Sequence, residues 1–269
     1  MIKLIASDLD GTLIHGMSGE LTPRALELIT RLTDAGIHFA VASGRQYYNE
    51  RHLFQKFGDK ISYIAENGAV CIHNGAVISR SSIDHGLYLR LVDEIRKNPD
   101  YRLLVSREDS CFIEKGDPAF EHIAYDVLRY KTQTVDDLRS LEGPILKIAI
   151  GNMADDDTQS LKEYRRYLQE KFPDEIKVVT SGYIWIDCMA PDCNKGAALS
   201  TLLRKLQIKP EECIAFGDQF NDLEMLQLAG TGYAMAGSPA GVIAGADHVT
   251  DSVEDVLEEL LNQIQKYSD

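Results

Sequence analysis

Short apolar runs and amphipathic stretches take turns along the first eighty residues. Ile2 to Ala6 is a short, mostly apolar run that leads into Asp8 and Asp10. Thr22-Pro23 has the form of an N-cap followed by proline at the first helical position. Leu26, Ile29 and Leu32 then recur at helical spacing, and Gly36 marks the stop. Ile37 to Ala42 is a second apolar run, ending at Ser43-Gly44-Arg45, and a helical pattern follows to about Phe57. Ile61 to Ala65 is a third, ending at Glu66-Asn67-Gly68. Such alternation predicts a parallel sheet with helices on both faces.

The pattern then changes. Ala69 to Ile72 and Ala76 to Ile78, joined by Asn74-Gly75, predict a hairpin with a tight turn. From about Asp84 to Met189 the order is helix, two short strands, helical stretches, strand, helix and two more strands. Tyr101–Val105 beside Cys111–Glu114, and Ile176–Thr180 beside Tyr183–Cys188, predict antiparallel pairs within an α+β module. The alternation returns near Asn194: Gly196–Leu206 helical, Cys213–Phe216 strand, Leu223–Leu228 helical, Gly232–Met235 strand, and Val253–Gln265 a closing amphipathic helix. The expected fold class is therefore α/β. A doubly wound, mainly parallel sheet core occupies residues 1–83 and 190–269, and an α+β module is inserted at 84–189. The boundaries rest on the change of pattern, since no Pro- or Ser-rich linker marks them.

Composition narrows the partners. With 269 residues, 44% of them hydrophobic, the chain can bury roughly three quarters of its unfolded surface without disulfides or metal. A net charge of -14 argues against nucleic acid or an anionic membrane as the main partner. It leaves room for a local positive pocket and a small phosphorylated ligand. The five cysteines, Cys71, Cys111, Cys188, Cys193 and Cys213, are odd in number and contain no C-x-x-C pair, which predicts reduced thiols in a cytoplasmic protein. No secretory leader is visible, and no apolar stretch approaches the ~20 residues of a membrane span.

In open α/β sheets, ligands bind beyond the carboxyl ends of the strands. Here those ends carry Asp8 and Asp10, then Ser43, then Asp218 with Asn221 and Asp222, while Lys195 opens the helix after the insertion. In Asp8-Leu9-Asp10-Gly11-Thr12, strand alternation predicts that Asp8 and Asp10 address one site. Two such carboxylates repel unless a hard cation such as Mg²⁺ neutralises them, and Mg²⁺ also binds phosphate oxygens. The chemistry suggested is attack by one carboxylate on phosphorus, with the other as acid and base. Each element has a plainer reading. The pentapeptide suits an Asx-type turn, Ser43 a helix cap, Lys195 a solvated surface, and Gly217-Asp218 with Asn221-Asp222 a capping turn. His15 reads as a solvated turn residue or a substrate contact. Tyr183 and Trp185, two apart, form either a wall against a ligand or part of the module's own core. The ordered occurrence of all the polar strand ends in one chain favours the chemical reading.

These motifs resemble those of the haloacid dehalogenase superfamily of phosphatases, in its Cof-type branch. They are Asp8-Leu9-Asp10-Gly11-Thr12, Ser43-Gly44-Arg45, Asn194-Lys195-Gly196 and Gly217-Asp218-Gln219-Phe220-Asn221-Asp222. The resemblance covers the whole chain. It implies a Rossmann-like core with a large α/β cap as the insertion. It further implies Asp8 as nucleophile, Asp10 as acid and base, and Ser43, Gly44, Lys195 and Asn221 around the phosphoryl group. Mg²⁺ would be held by the Asp8 side chain, the Asp10 backbone carbonyl and the Asp218 side chain. Glu66-Asn67-Gly68 resembles a family loop that faces the cap, which implies either a substrate contact by Glu66 and Asn67 or a plain turn. The activity implied is hydrolysis of small phosphomonoesters, such as sugar phosphates, through an aspartyl-phosphate. A phosphomutase also keeps both aspartates, and a non-catalytic binding relative is the reading from another class.

Overall fold

The computed structural model describes residues 1–14, 19–153, 158–181 and 185–268; His15 and Tyr183 lie outside them. Before the insertion the order is β1 (Leu4–Ser7), α1 (Pro23–Asp34), β2 (His38–Ala42), α2 (Tyr47–Leu53), β3 (Ser62–Ala65), β4 (Val70–His73) and β5 (Ala76–Arg80). The inserted stretch runs α3 (His85–Ile95), β6 (Tyr101–Ser106), β7 (Cys111–Glu114) and α4 (Pro118–His122), the last continuing into a π turn. It goes on with β8 (Thr132–Val135), β9 (Lys147–Asn152), α5 (Thr158–Lys171), β10 (Lys177–Ser181) and β11 (Trp185–Met189). The chain closes with α6 (Lys195–Leu206), β12 (Cys213–Gly217), α7 (Leu223–Leu228), β13 (Thr231–Met235), α8 (Ala240–Ile243), β14 (His248–Thr250) and α9 (Val253–Ser268). Two compact units result. The first is Met1–Arg45, Glu50–Ser79 and Asn194–Asp269; the second is Gln46–Asn49 with Arg80–Cys193.

The first unit holds a sheet in the order β14-β13-β12-β1-β2-β3-β4-β5. From β14 to β3 all neighbours are parallel, and β4 pairs antiparallel with β3. Every residue of β1 is buried, as a strand covered on both faces must be. On one face small strand residues (Ala6, Ala40, Ala42, Ala215) meet Leu199 and Leu202 of α6 and Met225 and Leu226 of α7, so the helices pack close to the sheet. Helix α1 starts as its sequence directs, with the Thr22 hydroxyl accepting from Ala25 N at 2.9 Å, and it buries Ala25, Leu28, Ile29 and Leu32.

The second unit holds a sheet in the order β10-β11-β9-β6-β7-β8. It is antiparallel except at its edge, where β8 runs parallel to β7. On one face Leu103, Val105, Ile148, Ile150 and Ile186 pack with Leu87, Leu91 and Val92 of α3 and Leu161 and Leu168 of α5. On the other, Leu104, Ile113 and Ala149 pack with Phe120 and Ala124, and Trp185 lies against this cluster with its ring 6.2 Å from that of Phe120. Trp185, half-buried, thus packs against this cluster of its own unit. No described helix is long and apolar enough to cross a membrane.

Candidate active site

The strand ends of the first unit supply the site. Asp8 follows directly on β1, its N–H donating to Phe216 O of β12 at 3.0 Å, and its side chain is buried. The chain then turns sharply: Ile14 N donates to Leu9 O, and Gly11 N to Ile14 O. Gly11 takes a φ of +88°, and a Cβ there would lie 2.5 Å from Asp218 Oδ2. Only glycine lets the turn and that carboxylate come together. Thr12 completes the contact by donating to Asp218 Oδ1 at 3.2 Å.

Lys195 sits at the first position of α6, behind an Asn194 side chain that caps Ala197 N at 2.7 Å. Its ammonium is fully buried and donates to Asp8 Oδ1 and to Asp222 Oδ1, each at 2.6 Å. The other oxygen of Asp222 accepts from Asp218 N and Gln219 N, each at 3.0 Å, and so shapes the turn that presents Asp218. Burial pushes the Lys195 pKa down, but Asp222 and Asp8 outweigh it and hold the ammonium above the usual lysine range. Burial raises Asp8 well above the usual carboxylate range; Lys195 opposes this and Asp222 adds to it. Burial raises Asp218 as well. Asp8, Asp218 and Asp222 each bring a carboxylate oxygen within 4.8 Å of the others. Hard oxygen donors crowded in this way fit a Mg²⁺-sized cation, which relieves their repulsion. Two of the three are suited to it. Asp222 has one oxygen on Lys195 and the other on backbone amides, whereas Asp8 Oδ2 accepts no hydrogen bond among the described residues.

The remaining expected residues form a second ring. Ser43 is buried and its hydroxyl accepts from Arg45 N at 3.1 Å. Its carbonyl accepts from Asn67 N at 2.9 Å, and Asn221 donates to Asn67 Oδ1 at 3.0 Å. Gly44 leaves space for the Asn67 amide, which a Cβ would approach to 3.1 Å. Glu66 and Asn67 are both buried and both left-handed, at φ 51° and 59°. Gly68 follows at φ +95°, where a Cβ would lie 2.3 Å from Asn194 O, so this strained turn lies directly against the start of α6.

The reason given for pairing Asp8 with Asp10 needs correction. Strand β1 ends at Ser7, so strand alternation does not govern these residues, and Asp10 lies in the turn that Gly11 makes. Its carboxylate is over half exposed and takes both Nε and Nη2 of Arg45, at 2.8 and 2.5 Å. Of the two readings of Lys195 the solvated one fails, since it is the most enclosed charge of the site. The sequence placed Asp222 and Arg45 in motifs but gave them no role; the spacing of four between Asp218 and Asp222 was the available signal for Asp222, since it returns a side chain to its own turn.

Residues 5–260 match the family of haloacid dehalogenase-like hydrolases. The chain belongs to that family. It is a phosphoric monoester hydrolase of this type, and the Cof-type resemblance of its motifs holds. It is similar to the 5-amino-6-(5-phospho-D-ribitylamino)uracil phosphatase YbjI of Escherichia coli (strain K12), with 28% identity over 92% of this chain and 90% of that one. It is 30% identical to the HMP-PP phosphatase of Cronobacter sakazakii, over 93% and 89% of the two chains. A haloacid dehalogenase-like hydrolase from Bacteroides thetaiotaomicron has the same fold, with a TM-score of 0.82, 26% identity and coverage of 97% of this chain and 100% of that one.

Proposed function

We propose that this hydrolase releases phosphate from small phosphorylated metabolites, such as sugar phosphates, through a covalent aspartyl-phosphate on Asp8 with Mg²⁺ as cofactor. One observation carries the reading: Lys195 holds Asp8 by a single oxygen, in a buried setting, and leaves Oδ2 free of hydrogen bonds among the described residues. A carboxylate fixed in this way is oriented for attack, and the Lys195 ammonium favours its charged form against the burial that opposes it. Asp8 Oδ2 forms a bond to phosphorus as the bond to the leaving oxygen breaks, and Asp10 gives that oxygen its proton. Water then attacks the phosphorus and Asp10 takes a proton back, so that phosphate leaves and Asp8 is restored. The exposure of Asp10 gives it room to turn from Arg45 for both transfers. Lys195 stabilises charge on the phosphoryl oxygens, Ser43 and the amide of Gly44 contact them, and Asn221 keeps Asn67 in place. Mg²⁺, held by Asp8, the Asp10 carbonyl and Asp218, would neutralise the phosphoryl charge.

In this reading residues 1–83 and 190–269 carry the chemistry, and 84–189 form a cap that selects the substrate and excludes water. The similarity to phosphatases named for a ribitylaminouracil phosphate and for HMP-PP supports a small phosphorylated metabolite as partner. Five buried free thiols suit the reducing cytoplasm as its location. The test is phosphate release from p-nitrophenyl phosphate with Mg²⁺ and with excess chelator. Release with Mg²⁺ and none in chelator is expected, and undiminished release in chelator would overturn the cofactor assignment.

A further inference from the structure

Glu50 is the buried residue of α2, with none of its surface exposed. Neither of its carboxylate oxygens has a hydrogen-bond partner among the described residues. An ionised carboxylate in that condition carries a heavy desolvation cost, which loss of the charge avoids. The groups that act on it electrostatically are Glu66 after β3, Lys195 of α6, Arg45 before α2 and Asp8 after β1, and it acts in turn on the thiol of Cys71 in β4. Both cations in this set are already engaged, Lys195 by Asp8 and Asp222 and Arg45 by Asp10. A charged Glu50 would add a further carboxylate to a region that already holds Asp8 and Glu66, and would draw on the same ammonium.

We propose that Glu50 is held as the uncharged acid and serves as a positioning residue, whose neutrality keeps the Lys195 ammonium committed to Asp8 and Asp222. Burial, then the neighbouring Glu66 carboxyl, raise its proton affinity well above that of an ordinary carboxylate, while Lys195 and Arg45 oppose them. The proposal deepens the phosphatase reading and rests on it for its kinetic consequence alone. Ionisation of Glu50 at high pH would compete for Lys195 and so loosen it from Asp8. Turnover would then fall on the alkaline side.

Two variants and two measurements test this on the full chain. Glu50→Gln copies the shape of the neutral acid, and Glu50→Ala removes it. With p-nitrophenyl phosphate and Mg²⁺, Glu50→Gln should keep kcat within about threefold of wild type and lose the alkaline decline, whereas Glu50→Ala should lower kcat by about tenfold or more. Equal losses in both variants, or no loss in Glu50→Ala, would overturn the role. Thermal melting across pH reads the protonation state without the assay. The folded chain binds this proton more tightly than the unfolded one. Stability is therefore lost as pH rises above the ordinary carboxylate range, and the glutamine variant escapes that loss. The melting temperature of Glu50→Gln should exceed wild type by a margin that widens with pH. Parallel curves would overturn the uncharged state, including in the case where the wild type releases no phosphate and the phosphatase reading itself fails.

Discussion

The two sheets put their polar residues to different uses because their strands run differently. In the first unit β13, β12, β1, β2 and β3 are parallel, so the carboxyl ends of β12, β1 and β2 lie along one edge and bring Asp218, Asp8 and Ser43 together. In the second unit β10, β11, β9, β6 and β7 alternate in direction, and their carboxyl ends fall on opposite edges in turn. Both units bury a lysine beside a carboxylate. Lys147 lies 3.4 Å from Asp187 in neighbouring strands of the second, whereas Lys195 bridges two carboxylates at 2.6 Å in the first. A parallel sheet gathers chemistry at one edge; an antiparallel one leaves such a pair as a local fixture.

The sharpest break of that contrast is Asp8→Asn. It should reduce phosphate release by several decades while the melting temperature stays near or above that of wild type, since a near-isosteric amide removes the nucleophile but fills its place. Retention of more than about a tenth of the activity would defeat the covalent assignment. Next in size is a matched pair, Lys195→Met and Lys147→Met. Each strands buried carboxylate charge and should cost about 3–5 kcal/mol in denaturant unfolding. Only Lys195→Met should also abolish release from the aryl phosphate, and equal kinetic losses would erase the distinction between the sheets.

Substitutions of second-unit residues outside its core should act more mildly. They should shift relative kcat/KM among metabolite esters while leaving aryl phosphate turnover within about tenfold. If every such variant loses activity equally on all substrates, the insertion is not the selector. The smallest effect concerns the first unit far from its polar edge. His38, at the start of β2, shares the Ser62 hydroxyl with His73 at 2.8 and 2.9 Å, and burial lowers its pKa from 6.5 to about 4. The unfolded chain therefore takes up this proton first, and stability should fall as pH drops from 6.5 toward 4. His38→Gln should flatten that part of the melting profile, and an unchanged slope would place its origin elsewhere.

Much of the first unit was legible because its strands are apolar runs that stop on polar residues, and the motif at Asp8 to Thr12 announced its own chemistry. What escaped has specific causes. Strands β8 and β14 are short edges with little burial, so they lack the apolar alternation that marks a strand. The enclosure of Lys195 depends on Asp222, which lies 27 residues away, and nothing in the local Asn194-Lys195-Gly196 pattern separates a buried ammonium from a solvated one. The setting of Asp10 turned on where β1 ends: it lies three residues past Ser7, in a turn that the apolar run does not mark. Glu50 sits in a run of polar residues, Tyr47-Tyr48-Asn49-Glu50-Arg51, where a buried acid has no sequence mark.

All five cysteines are free and buried, with burial pushing the Cys71 and Cys213 thiols up to about 12. Such thiols are inert toward alkylating and disulfide reagents until their surroundings open. Cys71 and Cys213 belong to the first unit, and Cys111, Cys188 and Cys193 to the second. The native chain thus carries built-in reporters of its own breathing. Pulse alkylation followed by peptide mapping would time the opening of each unit separately, without the addition of a single label.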